Sequence, residues 1–143
     1  MITNPVKLGE VLERLRAFDW AKHNVYFAVL FGSLAKKGEG NDVDIAVEFK
    51  GGKTFEKYIN LWVDLTDYLN TEKVDLVVVT DETDCYLIHE VFSNAYILYM
   101  EDWWRMHRRA VVCEDFLIDA RKLNVVENAG LAVMRRWQSS TGS

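Results

Sequence analysis

The 143-residue chain has one proline and two cysteines, and its acidic residues outnumber its basic ones, 22 to 17. Each scarcity excludes something. A net charge of -5 argues against a general nucleic-acid binder, which needs a basic surface to displace counterions from phosphates. Cys85 and Cys113 are far apart and belong to no Cys-x-x-Cys pair, so the spacing suggests neither a zinc site nor a disulfide framework. It predicts two reduced, buried thiols. No apolar run approaches membrane-spanning length, and "MITNPVKLGE" lacks the basic flank and apolar stretch of a secretory leader. A cytoplasmic protein without a membrane partner is the expectation. Repeats and low-complexity segments are also missing, and the length suits one domain.

What is present alternates. Asn4-Pro5 resembles a cap before a first helical residue, and Leu8, Val11, Leu12, Leu15 and Phe18 follow at helical spacing. "VYFAVLF" (25–31) and "VDIAVEF" (43–49) read as buried strands, the second ending at Gly51-Gly52. Phe55, Tyr58, Ile59, Trp62, Leu65 and Leu69 predict a helix with one apolar face, stopping at Asn70. "KVDLVVV" (73–79) is a third strand, 85–93 a short helix and "AYILYM" (95–100) a fourth strand. A long helix is expected over about 102–123, with Trp103, Met106, Ala110, Cys113, Leu117 and Ala120 on one side, then a weaker helix interrupted at Gly130. Residues 1–100 would form the core, 101–138 a helical extension packing on the core or a partner, and 139–143 a frayed tail. This order implies a layered α/β protein in which strands 43–49 and 73–79 run parallel across a right-handed crossover.

Two carboxylates head the second strand. Asp42 and Asp44 stand two apart and so point the same way, where they repel each other unless a proton or a cation neutralises them. Oxygen ligands of this kind suit Mg²⁺, which takes one or two carboxylates together with waters and phosphate oxygens. Asp75 lies inside an otherwise apolar strand and can reach the same face, giving three acids for one or two metal ions, the arrangement used for displacement at phosphorus. Before them, Gly32 permits close backbone approach to a phosphate and Ser33 offers an N–H and a hydroxyl. Lys36 and Lys37 follow as candidates to help hold a triphosphate. His23, His89 and His107 have no metal-ligand spacing.

"GSLAKKGEGNDVDIAV" followed by "VDLVVV" resembles the nucleotidyltransferase superfamily that includes DNA polymerase beta: Gly-Ser, then Asp-x-Asp, then a lone Asp on a later strand. Asn41 stands where a serine is common in that superfamily. With "DETDCYLIHEVFSNAYILY", the chain is similar to its minimal members, the MNT proteins, including MntA-type antitoxins of HEPN-domain ribonuclease toxins. The resemblance implies a two-layer α+β nucleotidyltransferase fold, a mixed sheet of about four strands packed against helices. It implies that Gly32 and Ser33 bind nucleotide phosphates, that Asp42 and Asp44 bind Mg²⁺, and that Asp75 is the third acid. ATP would be the donor and a tyrosine of the toxin the acceptor, so that the toxin is AMPylated and the two proteins form a hetero-oligomer; a homodimer is compatible with the same residues. A small-molecule nucleotidyltransferase of the antibiotic-modifying kind and an antitoxin that acts by binding alone are the alternatives. Trp103, Trp104 and Trp137 amid Arg105, Arg108, Arg109, Arg135 and Arg136 have the composition of a partner surface.

Overall fold

A computed structural model describes residues 6–113 and Ile118 of the chain. In chain order its elements are β1 (Val6–Lys7), α1 (Leu8–Arg16), a 3₁₀ turn (Ala21–His23), β2 (Val25–Phe31), α2 (Gly32–Lys37), β3 (Glu39–Gly40), β4 (Val43–Phe49), α3 (Phe55–Leu69), β5 (Val74–Val78), α4 (Cys85–Phe92) and β6 (Tyr96–Met100). Residues 103–113 form a further helix, α5. The main sheet runs β5-β4-β2-β6, with β4 and β5 parallel and β2 antiparallel to both β4 and β6. This is the expected α+β class with a mixed four-stranded sheet. The rest of the helix expected over about 102–123, Ile118 apart, the expected last helix and the 139–143 tail lie outside the described residues.

Both faces of the central strands are buried, which is why their sequences read as continuous apolar runs. Val43, Ile45, Val47 and Phe49 project to one face and pack with Val11 and Leu15 of α1 and Leu61, Leu65 and Leu69 of α3. Phe27, Val29, Phe31, Ala46 and Val79 project to the other, under Ile88 and Val91 of α4 and Cys113 of α5. Thr54 accepts a hydrogen bond from the Lys57 amide to cap α3, and Asn70 closes that helix in the left-handed conformation at φ 54°. Asp84 caps α4 through the Tyr86 amide at 2.7 Å.

Local reading and tertiary structure part company at three places. The first helix begins at Leu8 rather than Pro5, because Val6 and Lys7 pair as a strand with Gly40 and Glu39, and the Leu8 amide donates to the Gly38 carbonyl at 2.9 Å. That short ribbon braces the turn after α2. In α3, Phe55 is 78% exposed whereas Leu61 is fully buried, so the buried seam runs 61, 65, 69 along the helix. Lastly, Cys85 and Cys113 are not free thiols: they form a disulfide, with Cα atoms 5.1 Å apart. Their 28-residue separation is closed by the sheet, since α4 and α5 pack on the same face. Alkylation of the denatured, unreduced protein is expected to leave both cysteines unmodified, as counted by mass spectrometry; two alkyl groups per chain would refute the bond.

On that same face Glu48 is buried at 3% exposure and holds α5 in place. Arg105 Nε donates to Glu48 Oε2 at 2.6 Å and Arg109 Nε to Oε1 at 2.9 Å. Arg109 also meets Asp81 at 2.6 Å. These bonds push both guanidinium pKa values further up. Among the described residues no helix is long and apolar enough to cross a membrane.

Candidate active site

Asp44, Ala46 and Glu48 alternate along one face of β4, so the strand carries a carboxylate near each end of that face. The two meet opposite surroundings. Glu48 lies between two arginines, whereas Asp44, at the head of the strand, lies among other acids.

Three segments build the neighbourhood of Asp44. Antiparallel pairing sets Phe31, the last residue of β2, opposite it, and parallel pairing sets Asp75 of β5 opposite it from the other side. Paired residues share a face, so Asp44 and Asp75 are direct cross-strand neighbours. The chain then leaves β2 through Gly32 at φ 80°, a conformation that disfavours side chains. A methyl group on Gly32 would meet Asp44 Oδ2 at 2.1 Å and Cγ at 2.9 Å, so the Asp44 carboxylate lies directly against the backbone at this turn. Glycine is required twice over, by dihedral and by space.

Burial is the first cause that raises the Asp44 carboxyl, to about 6; the charges of Asp75 and Asp42, a hydrogen bond with Asp75 and the charge of Glu90 add to it. Every one of these influences acts in the same direction. Asp42, Asp44 and Asp75 are therefore brought together as expected, and Glu90 of α4 joins them. No local signal in "CYLIHEVF" marks Glu90, because a glutamate on a helix is ordinarily a solvated residue; only the packing of α4 on β2, the neighbour of β4, brings its charge to this spot.

Ser33 is exposed in the first turn of α2, and its Oγ lies 3.4 Å from where a side chain on Gly40 would begin. Lys36 and Lys37 are exposed at the far end of α2 and are not among the groups that act on Asp44. Among the described residues no three His, Cys, Asp or Glu side chains form a ready-made metal cage. The donor set still fits Mg²⁺, which needs only one or two carboxylates and completes its shell with water and phosphate oxygens. The acids are oxygen donors of one charge, crowded enough to raise the Asp44 carboxyl, and a divalent cation would relieve that crowding.

Substituting Gly32→Ala is expected to destabilise the fold by about 2 kcal/mol, from positive-φ strain and displacement of the Asp44 carboxylate. Thermal unfolding measures this, and an unchanged melting temperature would contradict the close contact.

Residues 14–103 match the family model described as "Polymerase beta, Nucleotidyltransferase". Comparison with curated protein sequences finds no match. Among solved structures, the chain is similar to a mutant of the toxin–antitoxin pair MntA-HpeT, with TM-score 0.59, 17% identity, and coverage of 87% of this chain and 98% of that one. It is also similar to a structure of tri-AMPylated Shewanella oneidensis HEPN toxin in complex with MNT antitoxin, with TM-score 0.55, 19% identity, and coverage of 85% and 94%. A toxin–antitoxin structure with AMP-PNP gives TM-score 0.58 at 19% identity, covering 85% and 97%. At these identities the likeness is one of fold.

Proposed function

The chain belongs to the polymerase beta nucleotidyltransferase family, and from that premise we propose that it transfers AMP from Mg-ATP to a hydroxyl acceptor, a tyrosine of a cognate HEPN-domain toxin, and so acts as an antitoxin. The observation that carries the reading is the placement of Asp44 against the Gly32 backbone on one side and in register with Asp75 on the other. The toxin partner is supported by the structural neighbours, one of which is an AMPylated HEPN toxin in complex with MNT antitoxin.

Gly32 and Ser33 receive the triphosphate at the start of α2, with Lys36 and Lys37 toward its far end. Asp42 and Asp44 would hold Mg²⁺, with Asp75 available to a second ion. When bound, Mg²⁺ supplies positive charge against the attacking and departing oxygens. The acceptor hydroxyl oxygen forms a bond to the α-phosphorus, and the bond from that phosphorus to the oxygen bridging it to the β-phosphorus breaks. Pyrophosphate departs with that oxygen. Where no second ion occupies it, Asp75, exposed at the cluster's edge, takes the hydroxyl proton.

Trp103 and Trp104, 49% and 66% exposed, support a partner surface on α5, where Trp103 stacks on His107 at 4.5 Å between ring centres. A cytoplasmic setting accompanies an ATP donor. There a reductant can open Cys85–Cys113, and the Glu48 ion pairs hold α5 without it.

The test is transfer of label from α-phosphate-labelled ATP to a co-expressed HEPN protein. Label on a toxin tyrosine, lost in Asp42→Asn and Asp44→Asn, is the expected result. Normal transfer by those variants would overturn the assignment. A non-catalytic antitoxin predicts a different outcome: both variants would neutralise the toxin unimpaired. Against that alternative stand the crowded acids, which are unfavourable to an apo fold and serve no purpose in a contact-only protein.

A further inference from the structure

Among the described residues β5 is an edge strand, and its outer edge begins beside the carboxylates. The Val43 amide bonds to the Lys73 carbonyl at 2.8 Å and the Val79 amide to the Val47 carbonyl at 2.7 Å, so residues 73, 75, 77 and 79 turn their backbone groups toward β4. By alternation, Val74, Leu76 and Val78 turn theirs outward. The Val74 carbonyl is taken by Trp62 Nε1 at 2.9 Å. Leu76 and Val78 are left with outward amides and carbonyls that no described residue pairs.

Protein sheets ordinarily protect such an edge with a bulge, a proline or a charge. "LVVV", residues 76–79, has none of these, and β5 pairs with β4 without a register shift. An open groove of about 440 Å³ runs along this edge, with Leu76 and Val78 in its floor and Tyr58 of α3 and Leu87 of α4 on its flanks. The groove is mixed in character, since Lys53, Thr80, Glu82, Thr83 and Asp84 also line it, and an unpaired backbone row along such a groove suits an extended polypeptide that adds a strand.

We propose that the acceptor is bound in this way: an extended segment of the acceptor protein pairs antiparallel with β5 and sets its hydroxyl-bearing residue opposite Asp75. The geometry follows from the register. Because Asp75 turns its own backbone groups toward β4, the residue opposite it occupies a non-hydrogen-bonded position, where Cα atoms approach to about 4.5 Å and side chains are closest. Its side chain then lies on the face shared by Asp75 and Asp44, at the carboxylate end of the sheet. The residue before it exchanges hydrogen bonds with Leu76, and the third before it does so with Val78 along the groove. The active site thereby recognises the backbone next to the acceptor residue and discriminates a strand-forming segment from a free hydroxyl compound. This deepens the transfer reading and rests on it for the chemistry, but the docking is measurable without transfer.

The probe is a set of synthetic decapeptides with one central tyrosine and apolar flanks, compared with N-acetyltyrosinamide under labelled ATP and Mg²⁺. Peptides are expected to be labelled at least about tenfold more efficiently than the amide, because the strand pairing orders them before reaction. N-methylation of the residue before the tyrosine and of the third before it removes amides that face β5, and is expected to abolish that advantage. N-methylation of the second residue before it blocks an amide facing solvent and is expected to leave it intact. Equal labelling of the two methylated peptides overturns the proposal. Hydrogen exchange on the full chain gives the independent arm: peptide slows exchange of the Leu76 and Val78 amides, and unchanged exchange refutes the docking. If the amides slow while no peptide or amide is labelled, the transfer reading fails and the docking stands. Protection of these amides in the protein alone that rises with its concentration would place a second copy on the edge and overturn the proposal.

Discussion

Asp44→Asn is expected to abolish transfer of AMP while making the metal-free protein more stable at neutral pH. On the proposed metal assignment the catalytic loss should be at least about 10³-fold in kcat/KM, equivalent to roughly 4 kcal/mol, because a charged donor to Mg²⁺ would be exchanged for a neutral amide. The gain in stability follows from proton linkage. The Asp44 carboxyl sits near 6 in the folded chain, above its ordinary value of 3.8, so between those pH values the folded state binds more protons than the unfolded one. Stability therefore falls as pH rises through that window, and above it the full penalty of an ionised, crowded Asp44 is present. Asparagine removes the penalty. Since Asp44 is only half-buried, solvent screens much of it, and about 1 kcal/mol is the expected gain at pH 7.5, with none at pH 3.5. Melting curves of both proteins at both pH values, in chelator, measure this. An equal gain at the two pH values would show that the charge cluster is not its source. Adding Mg²⁺ should raise the melting temperature of the native chain and leave that of Asp44→Asn nearly unmoved.

Glu48→Ala is expected to be the most destabilising single change at a polar residue of the sheet, at about 3 kcal/mol. The substitution leaves Arg109, only 17% exposed, without its main partner, and removes one end of the tie between β4 and α5. Removing one member of a buried pair costs more than removing both, so Glu48→Met with Arg109→Met should recover most of the loss. Denaturant titration under reducing conditions, where α5 is held without Cys85–Cys113, isolates this effect. A loss below about 1 kcal/mol would mean that solvent already carries the Glu48 charge. The contrast with Asp44 is instructive, because both acids stand on one face of one strand. At Glu48 counter-charges are built in, and the acid stabilises; at Asp44 they are withheld, and its carboxyl is raised instead.

Much of this was legible along the chain. The strands 25–31 and 43–49 match their observed bounds, because continuous apolar, β-rich runs have few alternatives once broken by Gly-Ser or Gly-Gly. The parallel pairing of β4 with β5 followed from the intervening helix and the handedness of crossovers. Asp42, Asp44 and Asp75 stood out because carboxylates are rare in buried strands. Where the local reading failed, a distant segment had overruled it: pairing with β3 took Val6 and Lys7 from the first helix, and the packing of α4 and α5 on one face joined two cysteines expected to be free.

By itself, then, the sequence determined the alternation of elements, the buried runs and the three strand acids, since these depend on periodicity and on the chemistry of neighbouring residues. Only the tertiary structure decided that Glu90 joins the acids, that Glu48 does not, that the two cysteines meet, and that β5 lies at the edge of the sheet among the described residues. Each of those is a relation between segments separated by tens of residues. Its energy depends on burial and on the distance between charges or backbone groups, and the chain sets those distances only when the helices close over the sheet.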